Sequence, residues 1–308
     1  MQAAVKNRIV RNERRFSRSS PFAFLRNAPH FARRIALGLV LVAAAWLAAC
    51  SSTPKRPAEI FSSRNMAETY LEVATKDTDR GSYDAALDTL DEARRAAVGA
   101  DDPSLRIRTA LLRGNILFYK GDLEAAEAEW QQALAEAEAS GDRELAARSR
   151  IHRGWGTLME AISRKEGPQV AQAVRDAVNR DAAQLKKDTE GVAFGNMVIA
   201  LAEKELGRAG EAEAAARKAL AIHDKGNYLE KAAYDWYIIA SIRSVAGRHA
   251  DAQKALDEAI AFDRRAENAA GLAAEWRARG DVHTKAGSAA LAEEAYTRSR
   301  EIYATITE

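Results

Sequence analysis

The chain has 308 residues, 47% of them hydrophobic and 29% charged, an apolar share large enough for a buried core. Six prolines and 18 glycines exclude collagen-like and Pro/Gly low-complexity chains, and a single cysteine excludes an internal disulfide, a cysteine-based zinc site and an iron–sulfur cluster. The formal charge of +2 looks weakly basic, but it sums two unlike parts of the chain.

Residues 1–34 carry nine Lys/Arg and one acid, Glu13, and the stretch from Ile35 to Ala49 carries no charge. A basic segment, an apolar run and small residues before a break are the parts of a secretory signal. The run is shorter than the roughly 20 residues a membrane-spanning helix needs. Its end, Leu47-Ala48-Ala49-Cys50, resembles the lipobox of bacterial lipoproteins. That resemblance implies cleavage before Cys50, which becomes the lipidated N-terminus, so residues 1–49 form the signal peptide. Ser51 in place of Asp implies sorting to the outer membrane, facing the periplasm. Without those residues, 37 basic and 43 acidic side chains remain, a net charge of −6. Residues 50–64, with two prolines and four serines after the cysteine, read as a flexible tether.

Residues 65–308 are nearly free of proline and rich in Ala, Glu, Leu and Arg, which favour helix. Gly81, Gly121, Gly167, Gly207, Gly247 and Gly287 are separated by 40, 46, 40, 40 and 40 residues. Each stands where a glycine would end one helix before a short turn. Five residues past five of these glycines comes Ala86, Ala126, Ala212, Ala252 or Ala292. Nine past comes Leu90, Trp130, Ala216, Leu256 or Tyr296, and twelve past comes Ala93, Ala133, Ala219, Ala259 or Ser299. Small residues at those offsets let two helices approach closely, and the larger residue fills the space between them.

This pattern resembles the tetratricopeptide (TPR) repeat, most closely in Trp276, Gly280, His283, Ala292 and Tyr296. It implies an all-α, TPR-like helical-repeat solenoid over 65–308, about six helix pairs of period about 40, wound as a right-handed superhelix. The third unit is irregular. Gly154 leads Gly167 by thirteen residues where Gly114 leads Gly121 by seven, which predicts six inserted residues around Ile162–Pro168, a bend or loop there, and a second helix over 169–186. The last helix, about 289–304, carries Leu291, Ala292, Ala295, Tyr296, Ile302 and Tyr303, with no capping helix after it, an apolar face that is either covered by the preceding helix or open to a partner or a second copy.

No HExxH, close histidine pair, P-loop or GxSxG occurs, so no metal site, cofactor or catalytic residue is expected. By resemblance, the first helix of each unit lines a concave groove. The residues placed there are Arg108, Asn115, Phe118, Arg148, Trp155, Tyr234, Tyr237, Ser241, Arg277 and Asp281. Aromatic and arginine side chains anchor many interfaces, and the Arg/Asn set suggests an acidic segment or a carboxylate as ligand. The acidic mature domain argues against nucleic acid. The expected function is a non-enzymatic, lipid-anchored protein-interaction scaffold of the bacterial cell envelope. The alternative is a ligand-binding accessory lipoprotein of a transport system, which an apolar internal cavity would favour.

Overall fold

The computed structural model describes residues 62–307, and the signal peptide, the Leu47–Cys50 lipobox and most of the tether lie outside them. Twelve helices follow one another, with no strand among the described residues. They form six pairs: α1 Ser62–Asp79 with α2 Tyr83–Gly99, α3 Pro103–Tyr119 with α4 Leu123–Ser140, and α5 Arg143–Ser163 with α6 Gly167–Ala182. Then come α7 Thr189–Glu205 with α8 Ala209–Lys225, α9 Leu229–Val245 with α10 His249–Ala266, and α11 Ala269–Lys285 with α12 Ala289–Thr307. No described helix is long and apolar enough to cross a membrane.

Local chemistry sets the helix ends. Asp102, Asp122, Asp142, Asp188 and Asn268 are N-caps whose side-chain oxygens accept from backbone N–H groups of the first turn. Each pair turns through a left-handed residue closed by a bond that runs backward across six residues. Examples are Ser82 N to the Asp77 carbonyl at 2.8 Å, Asp122 N to Leu117 at 2.9 Å and Ser288 N to His283 at 2.9 Å. The left-handed residues are Gly81, Gly121, Lys165, Gly207, Gly247 and Gly287.

The third of these corrects the sequence reading. Gly167 opens α6 with helical geometry, and Lys165 (φ 63°) takes the left-handed place, with Glu166 N closing on the Ala161 carbonyl at 2.7 Å. There is no loop at Ile162–Pro168. From N-cap to left-handed residue the third pair advances 23 positions, Asp142 to Lys165, against 19 from Asp102 to Gly121. From left-handed residue to the next N-cap it advances 23, Lys165 to Asp188, against 21 from Gly121 to Asp142. The insertion is therefore one extra turn of α5, four residues, plus two residues before α7. Four residues are close to the 3.6 of one helical turn, so the buried face of α5 keeps its direction.

The repeat alanines form the contact between helices. Ala86, Ala93, Ala126, Ala133, Ala212, Ala219, Ala252 and Ala259 are completely buried. The large residue between them seats against glycine. A Cβ on Gly114 or on Gly156 would collide with the Trp130 indole, and one on Gly280 would collide with the Tyr296 ring. Two apolar clusters result, one within the first two pairs and one running from the second pair to α11. On α12, Ala292 and Ala295 are buried against what precedes them, while Leu291 and Ile306 are exposed.

Candidate functional site on the inner helical layer

The first helices of successive pairs, α1, α3, α5, α7, α9 and α11, pack directly on one another and form the inner layer of the solenoid. Their side chains are linked across units. The Arg108 guanidinium on α3 donates to both carboxylate oxygens of Glu68 on α1 at 2.9 Å. Arg148 on α5 donates to Asp188 at 3.0 Å, and Lys231 on α9 donates to Glu190 on α7 at 2.5 Å. Lys204 and Lys285 donate to Ser241 and Ser244 of α9 at 3.4 Å. Asp281 accepts from the Tyr296 hydroxyl at 2.8 Å. Among the predicted groove cations only Arg277 is exposed without an ion-pair partner among the described residues; Arg108 and Arg148 are engaged by carboxylates, which removes the reason for expecting an acidic ligand.

Asn115 and Trp155 belong to the packing between pairs. The Asn115 carbonyl oxygen accepts from the Trp130 indole at 3.2 Å and lies 3.0 Å from His152 Nδ1. Burial first, then the Arg148 charge, hold the His152 pKa well below its usual value, so the ring is neutral and its Nδ1 is assigned the hydrogen that points at Asn115. Trp155 departs from the groove expectation at 1% exposure. It lies in a ring cluster with Phe118 (4.9 Å), Tyr119 (5.6 Å), Trp130 (5.9 Å) and Phe194 (6.0 Å), and its indole N–H has no hydrogen-bond partner. Phe118 is half-buried on the same cluster.

Two stacked tyrosine pairs remain solvent-reachable. Tyr83 of α2 and Tyr119 of α3 stack at 5.5 Å, and Tyr234 and Tyr237, one turn apart on α9, stack at 6.0 Å. Tyr119 keeps 47% of its surface accessible and Tyr234 keeps 41%. Burial nevertheless raises both phenol pKa values strongly, with smaller contributions from neighbouring phenols, Tyr83 among them for both rings. Exposed area and buried electrostatics coexist when the accessible surface opens into a narrow space walled by protein. These tyrosines stand on the inner side of the solenoid, its bore, where packed protein lowers the surrounding dielectric.

The chain bridges the bore at one point. The Arg80 guanidinium, in the turn between α1 and α2, reaches the Ala266 carbonyl at 3.4 Å and Glu230 at 3.9 Å. A Cβ on Gly81 would stand 3.5 Å from the Ala270 side chain. The tip of the first pair therefore meets the starts of α9 and α11. Beside it Asp79 ends α1. Burial raises its carboxyl to about pKa 6, against the lowering effect of Lys231 and with further raising by Glu230 and Glu190. Sequence reasoning missed Asp79, Tyr83 and Tyr119. Tyr119 adjoins Phe118, and Asp79 holds the same register two residues before its glycine, so a register scan would have found both; the meeting across the bore has no sequence signal.

Two further carboxyls are buried at the junction of the last pairs. Asp263 and Glu275 are each 2% exposed, and burial raises both pKa values, reinforced for Glu275 by the Asp263 charge. Asn268 donates to Asp263 at 3.0 Å. One repeat earlier the same two positions hold His223 and Asp235, hydrogen-bonded at 2.6 Å. Among the described residues no group of three or more His, Cys, Asp or Glu is placed to hold a metal ion.

The fold and inner layer define a TPR-like helical-repeat solenoid. Solved structures of similar architecture include BtubC (BKLC) from P. vanneervenii, with TM-score 0.50 and 18% identity over 78% of this chain and 92% of that one. The Rap protein complexed with Competence and Sporulation Factor gives TM-score 0.53 and 14% identity over 78% and 73%. PilW, a widely conserved type IV pilus biogenesis factor, gives 0.46 and 18% over 74% and 90%. At these identities the likeness is one of fold alone. No protein-family model and no curated protein sequence matches the chain.

Proposed function

We propose that the chain is a non-enzymatic interaction scaffold whose inner helical layer holds a segment of a partner protein. The observation that carries this reading is the solvent-reachable tyrosine lining of the bore, Tyr119 and Tyr234 above all, on a surface where Arg108, Arg148 and Lys231 are held by the chain's own carboxylates. Half-accessible aromatic rings on a rigid layer give contact area at low entropic cost. The Rap protein of similar architecture was solved with a bound factor, an instance of such a solenoid holding a ligand. The alternative of a small-molecule carrier rests on an apolar internal cavity. Two depressions among the described residues, of about 520 Å³ and about 180 Å³, are instead open to solvent and carry charged side chains, Glu213, Arg217 and Arg248 beside Ala209, Gly210 and Ala214 in the first and Arg94, Arg106, Arg113, Glu129 and Glu136 in the second.

In the same proposal Cys50 carries the lipid that holds the scaffold on the bacterial outer membrane, facing the periplasm. The support is the lipobox and the single cysteine at its end. Several acyl chains, at about 0.8 kcal/mol per buried methylene, hold a protein durably. Two measurements test the reading. A photo-crosslinking residue placed at Ser241 or Arg277 is expected to capture one or a few envelope proteins; recovery of only lipid or a metabolite would overturn the scaffold. Cys50→Ala is expected to move the protein from the membrane to the soluble fraction, and unchanged tight association would sink the lipid anchor while leaving the scaffold standing.

A further inference from the structure

The bore holds an aromatic gap with an unpartnered carboxylate beside it. Its walls are the two stacked pairs, Tyr83 with Tyr119 and Tyr234 with Tyr237. Among the described residues no ring contact joins one pair to the other, yet the phenol of Tyr234 raises that of Tyr119, and Tyr83 raises both. Arg80, three residues before Tyr83, reaches Glu230, four residues before Tyr234, at 3.9 Å, so the two pairs stand on elements that meet across the bore without touching each other. The Asp79 carboxylate is close enough to raise the phenols of Tyr83 and Tyr119, and it has no hydrogen-bond or ion-pair partner among the described residues. The cation that lowers its pKa most, Lys231, is held by Glu190 at 2.5 Å and lies over the Tyr228 ring at 5.2 Å. Arg80 is turned to the Ala266 carbonyl and Glu230.

The charge around this gap is unbalanced. Asp79 on α1, Glu190 on α7 and Glu230 on α9 stand against Lys231 and Arg80, with His223 of α8 already bonded to Asp235. One negative charge is left over, on the half-buried Asp79 carboxyl. Tyrosine rings and a carboxylate are the two chemistries that recognise an organic cation, through the ring quadrupole and through a charge-assisted hydrogen bond. The mature domain, at net −6, also favours a basic partner.

We propose that the gap between the tyrosine pairs is a receptor for a basic side chain, lysine or arginine, presented by a segment of a partner protein, with Asp79 as its counter-ion. The proposal rests on the scaffold reading and specifies which partner side chain it takes. Asp79 must be ionised to act. A carboxyl with a pKa of about 6 is about one-tenth ionised at pH 5 and about nine-tenths at pH 7. Affinity for a cation therefore rises about tenfold across that interval where the Asp79 carboxylate sets it.

The test uses the full chain and a fluorescein-labelled peptide with one arginine among alanines and a leucine, set beside the same peptide carrying citrulline, a neutral isostere. The arginine peptide is expected to bind about tenfold more tightly than the citrulline peptide, the gain of a charge-assisted contact in an enclosed site. Asp79→Asn is expected to lose about that factor and to flatten the pH 5–7 profile, whereas a merely structural Asp79 would leave the profile intact. Tyr234→Phe, which keeps the ring, is expected to bind nearly as wild type, and Tyr234→Ala to bind about tenfold more weakly, with helical content checked for each variant by circular dichroism. Equal binding of the citrulline peptide, an unchanged pH profile in Asp79→Asn, or no saturable binding up to about 1 mM peptide would overturn the proposal. Displacement of the peptide by tetramethylammonium at equal concentration would do so too, assigning the gap to small cations instead. An envelope partner still captured at Ser241 or Arg277 by Asp79→Asn would remove this receptor and leave the scaffold. Peptide binding with no captured partner would do the reverse.

Discussion

Gly114 shows how far a residue's local preference can be overruled. A glycine inside a helix costs up to about 1 kcal/mol relative to alanine, so Gly→Ala ordinarily stabilises. At Gly114 the added methyl would meet the Trp130 indole, itself 2% exposed and confined by Gly156 on its other side. Gly114→Ala is expected to destabilise by about 2–3 kcal/mol in urea unfolding, the cost of overpacking a closed core. Gly210, in the first turn of α8 with open space around its Cβ direction, is the contrast. Gly210→Ala is expected to stabilise by a few tenths to about 1 kcal/mol.

Asp263 and Glu275 give a second residue-scale expectation. Burial raises both carboxyls above their unfolded values, so the folded protein retains a proton that the unfolded chain releases. Such a contribution is fully present below the ordinary carboxyl range and is lost as pH rises through the raised values. Stability is expected to fall between about pH 5 and about pH 8 by on the order of 1 kcal/mol or more from this pair. Glu275→Gln keeps the shape and can donate to Asp263 without titrating, so its fall over the same interval should be smaller. Equal slopes in wild type and variant would show that the pair does not carry the pH dependence.

At the scale of the element, the repeat is almost wholly legible. The alanine offsets mark the buried helix contacts because only small residues let the helix backbones come that close. The glycine period marks the turns because a left-handed C-cap strains any residue with a Cβ. The same logic misleads once, at Gly167, because glycine is also tolerated at a helix start, where its Cβ would lie 2.5 Å from Glu205 Oε2. Lys165 takes the left-handed turn without glycine, as do Asp101, Asn227 and Glu267 at the turns between pairs. Lys165→Gly is therefore expected to stabilise the protein by about 1 kcal/mol, read as a rise in thermal midpoint. No gain would mean that the Lys165 side chain compensates for its backbone.

At the scale of the whole molecule, the solenoid curls until the tip of its first pair touches its fifth and sixth. Arg80 makes that contact with one backbone carbonyl and one distant carboxylate, so Arg80→Ala is expected to cost under about 1 kcal/mol. Ala270→Trp, which wedges the half-buried site facing Gly81, is expected to increase the radius of gyration in X-ray scattering and to speed amide exchange in the Asp79–Tyr83 turn. Unchanged scattering would mean that the two ends can separate no further.

The amino-acid sequence by itself determined the class of element, the number of pairs, the register of the helix contacts and the asymmetry of charge between residues 1–49 and the rest. These depend on periodicity and on local backbone strain, which act over a few residues and leave a mark at fixed spacing. Only the tertiary structure decided which groove residues face the bore. Trp155 went to the core, packed among Phe118, Tyr119, Trp130 and Phe194, while Arg108 and Arg148 were neutralised by carboxylates some forty residues away. It also brought Asp79, Tyr83 and Tyr119 to Tyr234, about 115 to 155 residues further along the chain. That meeting follows from small rotations summed over successive pairs, and no single repeat records the sum.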